Sequence, residues 1–163
     1  MSSLQVDSIS SMGGGHVDGA GKVVQSDTFT VPPTSFSIPN PNASFTAWDR
    51  NFTPLFADSI ITVTAGSASL VASAMIGGNA APQAKLLASR ASDNQVLATM
   101  ATYENQQRDS SFSTQTLFGV YQCTSLTPLV FQTTLYNGRW AEATAILYYS
   151  GQVGNVLIQE IAQ

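Results

Sequence analysis

"SIITVTAGSASLVASAMIGG", residues 59–78, decides the fold class. Apolar and small polar side chains alternate through it with a period of two. That is the signature of an extended strand, whose side chains point to opposite faces in turn. The Ala65-Gly66 pair divides the stretch into two runs, Ser59–Thr64 and Ser67–Ile76. The same period continues outward. "AKLLASR" (84–90), a turn at "ASDN" (91–94) and "QVLATMATY" (95–103) read as two strands joined tightly. "SFSTQTLFGVYQC" (111–123) is another run, and residues 128–163 hold three more. Their turns fall at Asn137-Gly138, a strong hairpin signal, and between Ser150 and Gly154. The seven prolines lie outside the runs or at their ends, as a sheet requires of a residue that cannot donate to a ladder. No segment carries a sustained 3.6-residue period with caps. The chain is expected to be all-β, with eight to ten strands arranged as in sandwiches and barrels.

Several strands are apolar on both faces. Leu70, Ala72, Ala74 and Ile76 oppose Val71 and Met75. Ala141, Ala143, Ala145, Leu147 and Tyr149 oppose Trp140, Ile146 and Tyr148, which share their face with Glu142 and Thr144. Leu117, Gly119 and Tyr121 oppose Phe118 and Val120. A simple sandwich wets one side of each strand, whereas a strand apolar on both sides is covered on both. With no helix to cover it, the second layer must be another copy of the chain. Ala72, Ala74, Ala141, Ala143, Ala145 and Tyr121 are therefore candidates for the interface of an oligomer, expected to be a homotrimer.

The composition excludes several classes. Of 163 residues, 44% are apolar and 10% charged, against about 25% charged in an average soluble domain. The net charge is −4, and the six Lys and Arg are scattered singly. Binding to a phosphate backbone needs clustered cations, so neither nucleic acid nor an anionic membrane surface is an expected partner. No apolar run approaches the roughly 20 residues of a membrane span. "MSSLQVDSIS" (1–10) has no positive n-region and no apolar core, so no signal peptide is expected. Cys123 is the single cysteine and is expected to be a small half-buried strand residue.

"GGGHVDGAGKVV" (13–24) invites a chemical reading and fails it. A phosphate loop ending at Gly21-Lys22 would need glycine where His16 stands and a hydroxyl where Val23 stands. His16 is the only histidine, too few for a zinc site within one chain or for a nucleophile–base pair on a rigid element. No catalytic residues, cofactor or metal are expected, and the chain is expected not to be an enzyme. The glycines instead make a hinge. Residues 1–21 form an arm with three apolar anchors, Leu4, Val6 and Ile9, too short to bury them alone. Residues 22–163 form the body. Two loops, "YENQQRDSS" (103–111) and "YNGRW" (136–140), concentrate amide, charged and aromatic groups. They make Tyr103, Gln106, Arg108, Arg139 and Trp140 candidates for an outer contact surface.

The opening "MSSLQVDSIS", a Gly-rich segment and then "GKVVQ" resemble the start of short tail-fibre-like proteins of bacteriophages. "NVLIQEIAQ" resembles their closing strand, and "SFTAWD" and residues 59–78 stand where those proteins carry early strands. The resemblance covers both ends of the chain and is loose between them. It implies a jelly-roll body similar to the complement and tumour-necrosis-factor trimer fold, preceded by an extended N-terminal arm. It also implies location in a virion assembled in the host cytoplasm. The partners it implies are other copies, other virion proteins, and a host surface glycan or protein. A capsid decoration protein docked through its arm, or a trimeric carbohydrate-binding lectin, would use the same body.

Overall fold

The computed structural model describes residues 21–32, 34–38, 44–72, 82–104, 111–137, 143–147 and 154–163. They form ten strands: β1 (Val23–Val31), β2 (Thr34–Ile38), β3 (Ser44–Phe52), β4 (Ile60–Ala72), β5 (Pro82–Arg90), β6 (Val96–Glu104), β7 (Ser111–Gln122), β8 (Leu129–Asn137), β9 (Ala143–Leu147) and β10 (Gly154–Ile161). The all-β expectation holds. No helix among the described residues is long and apolar enough to cross a membrane.

The pairing follows one rule. β1 pairs with β10, β2 with β9, β3 with β8, β4 with β7 and β5 with β6, all antiparallel, so each pair of labels sums to eleven (1+10, 2+9, 3+8, 4+7, 5+6). The described chain is thus a single long hairpin with its tip between β5 and β6. Two further pairings, β10 with β4 and β8 with β5, roll that hairpin into two four-stranded sheets, β1-β10-β4-β7 and β3-β8-β5-β6. This is a jelly-roll sandwich. β2 and β9 form a two-stranded ribbon lying beside β4.

At the tip the sequence reading was sufficient. Asn94 adopts a left-handed φ of 56°, its N–H donates to the Arg90 carbonyl at 2.9 Å, and Asp93 accepts from the Gln95 N–H at 3.1 Å. Asn and Asp tolerate this backbone because their side chains bond locally.

Two local readings are corrected. Asn137-Gly138 does not close a hairpin, because β8 pairs with β3 and β5 while β9 pairs with β2. The nested register overrides the turn propensity. Residues 60–72 are not split at Ala65-Gly66, and residues 73–78 lie outside the described residues. β4 runs through as one strand, and the β4–β7 register shifts between Ala65 and Ala68. A Cβ at residue 66 would lie 3.1 Å from the Asn155 carbonyl oxygen, so glycine admits the neighbouring strand.

The core fills the space between the sheets. One face of β8 (Leu129, Phe131, Leu135) meets Ile61, Val63, Val156 and Ile158 from the other sheet. Phe131 is fully buried, and the rings of Phe52 and Tyr121 meet it edge-on at 5.9 and 6.4 Å. Cys123 is buried rather than half-buried. It follows β7 instead of lying in it, with Sγ donating to the Ser125 carbonyl at 2.9 Å.

Candidate interaction surface

The sandwich has two long sides. On one, β6 and β7 come together. A Cβ on Gly119 would lie 2.5 Å from Met100 Cβ and 3.0 Å from Leu86 Cδ2, so the backbones meet where only glycine fits. On the other side β1 faces β3 without pairing, and side chains span the gap. Arg50 donates from Nε and from its NH2 group to the two carboxylate oxygens of Asp27 at 2.6 and 3.0 Å. The guanidinium carbon lies 5.2 Å from the Phe29 ring centroid, and Phe29 meets Trp48 edge-on at 5.4 Å. The hydrogen bond to Asp27 holds the Arg50 pKa above its already high ordinary value, against the opposing effect of burial.

Asp27, Asp49, Arg50 and Asn51 line a shallow depression of about 290 Å³ on this open side. Its chemistry is limited. Asp27 is held bidentately by Arg50, with one hydrogen bond to each carboxylate oxygen. Phe29 lies beneath the guanidinium, and Trp48 is buried, so neither ring is free to stack on a sugar. Among the described residues no three His, Cys, Asp or Glu side chains come together as a metal site would require.

The end of this side is closed by a buried carboxylate. Glu160, on the inward face of β10, accepts from the Leu55 N–H at 3.0 and 2.9 Å, the Phe56 N–H at 2.9 Å and Ser59 Oγ at 2.7 Å. With its amide turned so that nitrogen faces the carboxylate, Gln25 donates to Glu160 at 3.1 Å and to the Thr53 carbonyl at 3.2 Å. The 53–59 loop is thereby latched to β1 and β10, while the Leu55 and Phe56 side chains remain exposed. Sequence reasoning missed this latch. The signal was present: Glu160 shares the parity of Val156 and Ile158, a charged residue on a buried row.

The other site candidates are placed as follows. Tyr121 is half-buried, with its ring packed edge-on against Phe131 in its own chain's core. Its neighbours Phe118 and Val120 point outward instead. Tyr103 lies within β6, paired with Ala84 and packed against the core, and is not a loop contact residue. Period-two burial governs both tyrosines. Ala72 lies in β4 opposite Ser111, and Ala143 and Ala145 lie in β9 opposite Ile38 and Phe36. Leu4, Val6, Ile9, His16, Ala74, Gln106, Arg108, Arg139, Trp140 and Ala141 lie outside the described residues. The start of β1 is tied to the end of β10, where the Gly21 N–H donates to the Ala162 carbonyl at 2.7 Å and the Ala162 N–H returns a bond to the Lys22 carbonyl at 3.0 Å.

No family model matches the chain, and no curated protein matches it. Among solved structures it is similar to that of the infectious bursal disease virus Gx strain, with a TM-score of 0.47 and 11% identity over 86% of this chain and 38% of that one. It is similar to infectious bursal virus-derived T=1 particles, with a TM-score of 0.47 and 11% identity over 86% and 37%. It is also similar to the C-terminal domain of EclA, a sugar-binding protein, with a TM-score of 0.33 and 21% identity over 77% and 76%. The chain spans well under half the length of the two viral chains it matches.

Proposed function

We propose that this chain is a non-enzymatic structural protein of a bacteriophage virion, a homotrimer at the particle surface that serves as a short tail fibre or knob. One observation carries the reading. The jelly roll fills its own core and still presents Phe118, Val120 and Val23 outward on a single sheet. A body that buries its core and keeps apolar side chains outside is built to be covered by protein. The scarcity of charge supports the same reading, since assembly surfaces bury few charges. The arm, with Leu4, Val6 and Ile9, is the attachment peg, and the Gly-rich segment lets the body adjust to the particle's local symmetry. No nucleic acid, membrane insertion, metal or cofactor enters this role.

Protein-specific antibody on purified particles tests the assignment. Gold label at the tail is the expected result. Label on the head would make the chain a capsid decoration protein, and absence from particles would overturn the virion role. Selective binding on a glycan array by a chain absent from particles would identify a lectin. Deleting residues 2–21 is expected to leave a folded body that no longer joins particles.

A further inference from the structure

We propose that the outer face of the β1-β10-β4-β7 sheet is the surface through which one copy of this chain meets another, an inference that rests on the self-assembly part of the proposed function. The register fixes what this face contains. Three rows cross the four strands, one from Val23 through Ile161 and Ile60, one ending at Val120, and one through Leu157 to Phe118. These rows hold twelve residues, of which six are apolar (Val23, Ile161, Ile60, Val120, Leu157 and Phe118) and the other six are Ser, Thr or Gln. None is charged and none is buried, although the alternate residues of the same strands form the core. Phe118 is 57% exposed, Val120 51% and Val23 50%.

The outer face of the opposite sheet differs, with Asp49, Lys85 and Glu104 on it. The chemistry of the uncharged face selects its occupant. A face without charge offers no complement to a polyanion, an anionic lipid or a strongly charged protein. It does suit a second copy of a chain whose net charge is −4, because two such copies meet most easily where neither buries an unpaired charge. The footprint limits how such a copy is held. Four strands at about 4.8 Å and three rows at about 6.8 Å cover roughly 400 Å². A standard stable interface buries about 800 Å² per partner. A contact of this size holds best as one of several in a closed ring, where each copy meets two others.

Sedimentation at micromolar concentration tests the inference with three single variants, each checked for native circular dichroism. Phe118→Asp and Val120→Lys place a charge on the proposed face at exposed positions that the monomer's core does not use. Thr102→Asp places one on the exposed β6 of the other sheet. The wild type and Thr102→Asp are expected to sediment as one oligomer, and the two face variants as folded monomers. Face variants that are folded and keep the wild-type size would overturn the face while leaving self-assembly intact. Loss of the oligomer in Thr102→Asp as well would overturn the face, because any added charge would then suffice. A wild type that remains a monomer would overturn self-assembly and the face together.

Discussion

The two long sides of the sandwich are held in opposite ways. Where β6 meets β7, the contact is nearly backbone to backbone, and its specificity lies in the absence of a side chain at Gly119. Where β1 faces β3, the strands stay apart. The gap is bridged by long polar side chains: Asp27 to Arg50 midway along, and Gln25, Glu160 and the 53–59 loop at the end. A close approach is intolerant because close-packed backbone cannot yield. A bridged gap is tolerant at its exposed middle and intolerant at its buried end, where polar groups have no water to fall back on. The difference is therefore one of solvent access as much as of contact.

The strongest way to break this comparison is at Gly119. Gly119→Ala is expected to cost about 3 kcal/mol, the upper range for overpacking, because Met100 Cβ cannot rotate away. Gly119→Val is expected not to fold. Urea unfolding of the alanine variant measures the effect, and a loss below about 1 kcal/mol would show that the two strands can separate freely.

Next in size is the latch. Glu160→Ala strips the Leu55 and Phe56 amides and the Ser59 hydroxyl of their acceptor, and is expected to cost roughly 3 kcal/mol. For a chain of this length that is a fall of roughly 6–12 °C in the midpoint of thermal unfolding. Hydrogen exchange should localise the change, with the Leu55 and Phe56 amides losing protection first. Uniform loss of protection would instead make Glu160 a general core residue.

On the exposed part of the open side, Arg50→Ala is expected to cost below about 1 kcal/mol, since the paired side chains are 45% and 25% exposed. Raising the salt concentration should narrow the difference from the wild type. A loss as large as that of Glu160→Ala would mean that the ion pair, with Phe29 and Trp48 beneath it, holds this side as firmly as the latch does.

The smallest effect belongs to Tyr121, on the closed side. Burial pushes its phenol above the ordinary value, the neighbouring Cys123 thiol adds to the rise, and Arg90 opposes it. The folded protein then holds this proton more tightly than the unfolded chain does. The contribution is complete below about pH 10 and declines as pH rises through the folded value. Urea midpoints followed from neutral to alkaline pH should fall less steeply in Tyr121→Phe than in the wild type, and an unchanged slope would assign the alkaline loss elsewhere.

What the sequence makes legible follows from the range of the forces involved. Strand formation is local, so the alternation in Ser59–Thr64 and in Val96–Tyr103 is sufficient to locate β4 and β6. The Ala-Ser-Asp-Asn turn is local too, and among the described strands it closes the one hairpin whose strands are consecutive along the chain. Partner choice for the other strands is a long-range matter. The nested pairing carries β1 to a strand more than a hundred residues away, and nothing near Asn137 signals that its hairpin tendency will lose. The candidate site divides in the same way. Phe118 and Val120 are legible as an apolar face opposed to Leu117 and Tyr121. The latch needed the knowledge that the 53–59 loop returns over the end of β10. Tyr103 reads as the start of a loop because polar residues follow it, while strand parity carries β6 through it and turns its ring toward the core.

The joining of the start of β1 to the end of β10 has a mechanical consequence. Gly21 and Ala162 are bonded neighbours, and β1 and β10 run antiparallel away from them. Tension applied between Gly21 and Ala162 would load the β1–β10 ladder from one end. Its hydrogen bonds would then open singly, like the teeth of a zipper, rather than resisting together as they do in shear.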